Sequence, residues 1–213
     1  MKEERKKYSE LFLYLSILFV VCLLLSNILA SKILKIGDFS TTSGVLIFPI
    51  SYIINDIFSE VYGYNKTRKI IIFGFLMNLL MILIFSLAIV LPSPSWFEND
   101  EAFGLILGTT PRNSLASLTA YLIGSLVNSK ILVKMKVNKK NKFGVRAIVS
   151  TIFGELTDSL IFVLVAFIGQ LDINQILTMI IVQVIFKTLY EIICLPFTTI
   201  MVKKVKKYEN LVE

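Results

Sequence analysis

Histidine is absent from this chain of 213 residues, and cysteine occurs only twice, as Cys22 and Cys194. Without histidine the chain lacks the commonest metal ligand and the usual proton carrier near neutral pH. Both cysteines lie in apolar stretches, and their spacing matches neither a disulfide framework nor a metal site. Glycine-rich nucleotide-binding loops and hydrolase nucleophile motifs are missing as well. We therefore expect no metal, no cofactor and no enzymatic activity.

Long apolar blocks make up most of the chain instead. Hydrophobic residues account for 55% of it, and the mean hydropathy is +0.77. Because a bilayer core of roughly 30 Å needs about 20 apolar helical residues, the blocks predict an all-α, polytopic membrane protein with six transmembrane helices in one domain, 1–213. The predicted helices cover residues 11–30, 39–61, 70–91, 111–126, 145–169 and 176–202.

The formal net charge of +7 is unevenly distributed along the chain. Lys and Arg cluster in residues 2–7, 66–69, 130–146 and 203–207, whereas residues 92–110 contain acidic residues and no Lys or Arg. Since basic loops remain on the cytoplasmic side, we expect a multi-pass protein of the cell membrane with both termini in the cytoplasm. The basic residues flank apolar blocks and form no stripe, so nucleic acid is not an expected partner.

Four ionisable residues fall at membrane depth in this prediction: Asp56, Asp158, Lys187 and Glu191. A charge at the bilayer centre costs about 2.5–3.5 kcal/mol on insertion scales, so such residues normally face the protein interior and line a solute path. Alternatively, they pair with one another only to hold helices together. Glu60 lies near a loop, and we interpret it as solvated or as a cap on the basic loop.

The spacing of two aspartates suggests an internal repeat. The offset that carries Asp56 onto Asp158 also carries the first three predicted helices onto the last three. Three helices per half would place the halves in opposite orientations. The offset therefore predicts two inverted three-helix repeats, although few other pairs of residues separated by this offset are identical.

An ordered series of short motifs runs through the predicted helices. It comprises Ser26-Asn27, Phe48-Pro49-Ile50, Asn55-Asp56-Ile57, Glu60-Val61-Tyr62-Gly63, Arg112-Asn113, Gly154, Asp158-Ser159, Phe186-Lys187 and Leu195-Pro196. In this order the motifs resemble the vitamin-uptake-like transporter family, whose members import queuosine precursors. The resemblance implies a six-helix uptake protein for 7-deazaguanines, namely the 7-cyano and 7-aminomethyl precursor bases or queuine.

The hydrogen-bonding edge of a 7-deazaguanine suits several of the buried polar residues. Its N1–H and 2-amino donors match a carboxylate that accepts both, which either Asp56 or Asp158 would provide. The O6 acceptor needs a donor, and Lys187, Asn27 or Asn55 would serve.

Further candidates follow from the substituent and the ring of such a base. A protonated aminomethyl group favours an additional acid, for which Glu155 and Glu191 are candidates. The ring faces favour aromatic side chains. The aromatic candidates near the motifs are Phe48, Tyr52, Phe153 and Phe162. Arg112, which belongs to one of the motifs, is a further candidate binding residue.

Two modes of transport fit the pattern. The first is a self-sufficient secondary transporter or facilitator, and the alternative is a substrate-binding membrane subunit that needs a separate ATP-driven energising module. The expected partners are the small-molecule base and the lipid bilayer, and a homodimer is compatible with the pattern. The sequence leaves the coupling ion and the preferred precursor open.

Overall fold

Helices dominate the computed structural model of the chain, which describes residues 9–29, 31–36, 39–108, 111–137, 142–169 and 172–210. The helices are α1 (Glu10–Leu29), α2 (Phe48–Ile57), α3 (Tyr64–Val90), α4 (Asp100–Leu107), α5 (Pro111–Val137), α6 (Phe143–Phe167) and α7 (Ile173–Tyr208). A short 3-10 turn, Ser43–Leu46, precedes α2, and a π-helical segment, Phe58–Tyr62, continues α2. Two strands, β1 (Ile33–Ile36) and β2 (Phe39–Thr42), form an antiparallel hairpin.

Four stretches of the described chain are long and apolar enough to cross a membrane: Glu10–Leu29, Tyr64–Val90, Leu115–Val137 and Phe143–Val165. Large apolar side chains cover their outer surfaces, including Leu83 and Ile84 of α3. An apolar surface of this extent is unfavourable in water and favourable in lipid. The chain is therefore a polytopic helical membrane protein, as predicted, while the count of six spans stays a prediction.

The predicted second helix, 39–61, is wrong over its first part, because residues 39–42 form strand β2. Ile33 lies opposite Thr42 and Ile36 opposite Phe39 in the hairpin, and β-branched and aromatic residues suit such pairing. Helix α2 begins only at Phe48, with Pro49 in its first turn, where the missing proline N–H has no helical partner to lose. The all-α prediction thus needs one correction, this hairpin.

Several helices extend beyond their predicted bounds into polar sequence. Helix α5 continues to Val137 rather than ending at residue 126, and α7 continues to Tyr208 rather than 202. Lysine is a good helix former, so the backbone stays helical after the apolar stretch has ended. The acidic segment that follows α3 contains the short helix α4.

Close contact between α5 and α6 depends on two glycines. A Cβ atom added at Gly124 would lie 2.8 Å from Asp158 Cβ and 2.9 Å from the carbonyl oxygen of Gly154. A Cβ atom added at Gly154 would lie 2.8 Å from Asn128 Cβ. Small residues at such a crossing let the two helix backbones approach each other. The crossing thereby places Asn128 and Asp158 in the interior of the bundle.

Candidate functional site

Lys187 of α7 forms ion pairs with two carboxylates of α6. Its Nζ lies 2.8 Å from Glu155 Oε2 and contacts Asp158 Oδ2 directly. Glu155 and Asp158 are three residues apart, so they lie on the same face of α6. The side chain of Lys187 is 25% exposed and that of Asp158 is 11% exposed. We call Lys187, Glu155 and Asp158 the lysine cluster, and its Lys187–Asp158 edge is the more accessible part.

Tyr52 links α2 to this cluster. Its hydroxyl hydrogen bonds to the Glu155 side chain and lies near Asp158. A buried carboxylate needs hydrogen-bond partners. Lys187 and Tyr52 are these partners for Glu155, and together they hold its side chain in position. Three helices, α2, α6 and α7, therefore meet at the lysine cluster.

A second pair of acids lies deeper, between α2 and α7. The carboxyl groups of Asp56 and Glu191 are within hydrogen-bond reach of each other. Asp56 is fully buried and Glu191 is 3% exposed. Asn128 of α5 donates to Asp56 Oδ1 at 3.2 Å. We call Asp56 and Glu191 the carboxyl pair.

Other polar side chains extend this interior network. Ser129 Oγ donates to Asn55 Oδ1 at 3.3 Å, which connects α5 to α2. In the described part of the chain, Asn55 Nδ2, Thr151 Oγ1 and Ser159 Oγ are buried without a hydrogen-bond partner. A buried donor without a partner is costly, and a polar ligand bound between the helices would supply partners. The donor and acceptor set therefore fits a polar solute.

A separate ion cluster lies at one end of the bundle, around Glu60. Arg146 of α6 donates to both Glu60 oxygens, at 2.8 and 3.2 Å, and Lys206 of α7 donates to Oε1 at 2.7 Å. Lys136 of α5 donates to the Glu60 carbonyl oxygen. Glu60 is only 1% exposed, so the expectation that it is solvated is wrong. It connects the π-helical segment to three helices.

The remaining predicted site residues lie in different surroundings. Asn27 donates to Asn78 Oδ1 at 2.6 Å and so joins α1 to α3, which is the helix-packing role that polar residues often have in membranes. Phe153 is half exposed on the outer face of α6, whereas Phe162 packs beside the apolar cluster around Val163. The side chains of Phe48 and Arg112 lie outside the described residues.

Sequence reasoning missed several residues that build these networks, notably Asn128, Ser129, Asn78 and Arg146. Asn128 and Ser129 lie beyond the predicted end of their helix at residue 126 and were assigned to a loop. A signal for Asn78 was available, because it is a polar residue in the middle of the apolar stretch of α3.

Comparison with known proteins agrees with the motif series. Residues 42–201 match the family described as putative vitamin uptake transporter. The chain is 26% identical over 164 residues to the queuosine precursor transporter of Escherichia coli (strain K12), covering 77% of this chain and 72% of that protein. It is 23% identical over 174 residues to a probable queuosine precursor transporter of Bacillus subtilis (strain 168), covering 81% of this chain and 76% of that protein.

A third relative is a probable queuosine precursor transporter of Haemophilus influenzae, 27% identical over 135 residues, which cover 63% of this chain and 55% of that protein. No solved structure matches the chain. The family match covers most of the sequence, including both carboxylates of the carboxyl pair and all of the lysine cluster. The chain therefore belongs to this family of vitamin uptake transporters, and it is a transporter rather than an enzyme.

Proposed function

We propose that the protein imports a queuosine precursor, a 7-deazaguanine base, and binds it at the lysine cluster between α2, α6 and α7. The observation that carries the proposal is the buried Lys187–Glu155–Asp158 arrangement, formed by two apolar helices. Charges at this depth are costly and normally mark a solute path. Three relatives carry the name queuosine precursor transporter or probable queuosine precursor transporter, which favours this class of base over other small solutes.

The proposed binding mode uses the accessible edge of the cluster. Asp158 accepts the N1–H and 2-amino donors of the base, and Lys187 donates to its O6 oxygen. Asp158 suits this role better than Asp56, because Asp158 retains some exposure while Asp56 is fully buried. Glu155, which contacts the same lysine, is the acid that would bind a protonated aminomethyl substituent.

Aromatic contacts in the proposal come from Tyr52 and Phe162. Tyr52 already bonds to Glu155, and Phe162 lies one turn beyond Asp158 on α6, so it shares the inward face. Phe153 lies two residues before Glu155, so it points to a different side of α6, where it is half exposed. It serves as a matched control for Phe162.

The proposed topology has six spans in one domain. Two spans are added to the four apolar ones: the first is α2 with its π-helical continuation, and the second is α7. The first and last helices are joined at one end, since Ser9 hydrogen bonds to Glu209, and Tyr62 donates to the same carboxylate at 2.8 Å. This contact supports both termini on one side of the cell membrane. The basic loops favour the cytoplasm for that side. An inverted arrangement of two three-helix halves remains part of the proposal.

Direct binding tests the proposed site. Asp158→Asn replaces one acceptor oxygen with a donor that faces the donors of the base, so we expect affinity for a labelled 7-deazaguanine to fall about 5- to 150-fold, from a loss of about 1–3 kcal/mol. Phe162→Leu should weaken binding, and Phe153→Leu should not. Purified wild-type protein and a Glu98→Gln variant, which alters an exposed loop carboxylate, are the references.

Wild-type affinity in Asp158→Asn would place the base elsewhere. Equal effects of Phe162→Leu and Phe153→Leu would reject the proposed stacking face.

A further inference from the structure

The carboxyl pair is a feature of the interior that base binding does not use. Asp56 and Glu191 are closed in by α2, α5 and α7, and neither has more than 3% exposure. The lysine cluster, by contrast, has an accessible edge. A flat bicyclic base needs such an edge, whereas two enclosed and adjacent carboxyl groups suit a much smaller ligand.

Two carboxylates in contact at this depth cannot both carry a charge. A hydrogen bond between two carboxyl groups needs one proton, because only a protonated carboxyl is a donor. Asp56 Oδ1 accepts from Asn128. Within the described chain, Asp56 Oδ2 and Glu191 Oε1 accept from no N–H or O–H group. One proton bound to either acid makes that acid a donor to the other and leaves the pair with a single negative charge.

Charged groups around the pair do not neutralise it. Glu155 lies near Glu191 but is bound to Lys187, and Glu60 lies near Asp56 but is bound to Arg146. None of the ion pairs among the described residues includes Asp56 or Glu191. The other titratable residues on the elements packed around the pair are Tyr52 of α2, Tyr62 of the π-helical segment, Tyr121, Lys130, Lys134 and Lys136 of α5, Tyr190, Cys194, Lys203, Lys204, Lys206, Lys207 and Tyr208 of α7, and Glu10, Tyr14 and Cys22 of α1.

We propose that the Asp56–Glu191 pair is a proton-binding site that couples uptake of the base to proton movement across the membrane. A proton binds to a carboxylate oxygen from one side and leaves to water on the other side, with no other bond made or broken. Glu155 connects the two sites, since it interacts with Glu191 and also binds Lys187. Base binding at the lysine cluster therefore changes the electrostatic field at the carboxyl pair. This inference rests on the proposed function, because the base is its cargo.

Proteoliposomes that contain only the full-length protein test the coupling. With acidic buffer outside, wild-type protein should concentrate labelled base inside, by up to about tenfold per pH unit for one proton per base, and a proton ionophore should abolish this. Glu191→Gln should still exchange labelled for unlabelled base without a gradient, but it should not respond to one. An amide has the size of a neutral acid and a permanent donor, yet it cannot release a proton. Glu98→Gln is the matched control and should behave as wild type.

A pH-sensitive dye trapped inside the vesicles gives a second measurement that needs no variant. Adding unlabelled base outside wild-type vesicles should acidify the interior. Absence of this signal, or of gradient-driven accumulation, while exchange proceeds would overturn the coupling and leave the proposed function standing. Full gradient-driven accumulation by Glu191→Gln would show that the proton binds elsewhere. No exchange of base by wild-type protein would instead contradict the proposed function itself.

Discussion

Lys187 holds two acids of the neighbouring helix, so its removal should affect both folding and transport. Lys187→Met leaves Glu155 and Asp158 without their shared cation, and breaking a buried ion pair in this way costs about 3–5 kcal/mol. We expect a lower Tm in detergent and loss of uptake. Lys187→Arg keeps the charge and should retain more of both.

A double variant separates charge balance from substrate binding. Adding Asp158→Asn to Lys187→Met removes one of the stranded charges, so part of the lost stability should return while uptake stays low. Thermal unfolding of all three variants measures the coupling between the two residues. Additive losses would show that the two side chains do not interact in the folded protein. Normal uptake by folded Lys187→Met would leave the residue with a structural role only.

Asp56, Asp158, Lys187 and Glu191 could be predicted as interior residues from the sequence, because their cost in lipid requires that they meet other polar groups, whereas the burial of Glu60 was not predicted. Lys187 and Asp158 do form an ion pair. Their exact partners could not be predicted, because partners come from helices distant in the chain. Asn128 bonds to Asp56 across 72 positions, and Glu60 is bound by Arg146 across 86 positions.

At the scale of the helix, the contact between α5 and α6 should be sensitive to a single methyl group. Gly154→Ala would place a Cβ atom 2.8 Å from Asn128 Cβ and 3.1 Å from the Gly124 carbonyl oxygen. Overpacking of this kind costs about 1–3 kcal/mol, and it would displace Asn128 from Asp56. We expect a lower Tm and reduced uptake, both measured on purified protein.

Gly104→Ala in α4 is the matched control, because the nearest atom to its Cβ would be 3.9 Å away. It should be neutral or slightly stabilising, since alanine is the better helix former. Equal Tm values for Gly154→Ala and wild type would mean that α5 and α6 are not in close contact at this crossing.

The sequence predicted which segments are helical better than it predicted the residues at which the helices begin and end. Hydropathy identified the apolar stretches, and lipid favours helices in them because every backbone hydrogen bond is satisfied. The hairpin of β1 and β2 was not predicted, because its apolar residues continue the pattern of the following stretch. Only its β-branched residues and Pro49 indicated that the helix would begin later, at Phe48.

For the whole molecule, the contacts at one end of the bundle predict where each loop lies. The Glu60 cluster joins the basic ends of α5, α6 and α7, and Glu209 joins α7 to the start of α1. A reporter fused after Glu213 or inserted in residues 136–142 should therefore be cytoplasmic, and one inserted in residues 94–101 should be external. Labelling of intact cells with an impermeant reagent measures this. A cytoplasmic signal from residues 94–101 would contradict the six-span topology.

The central claim is that this chain alone carries a 7-deazaguanine base across a membrane through the lysine cluster. Uptake of labelled precursor into vesicles that contain only the purified protein, without ATP, tests it most directly. We predict saturable uptake that unlabelled precursor inhibits and that Asp158→Asn reduces to the level of protein-free vesicles. Uptake that needs a separate ATP-hydrolysing partner would support a substrate-binding subunit instead, and uptake equal to that of protein-free vesicles would contradict the account.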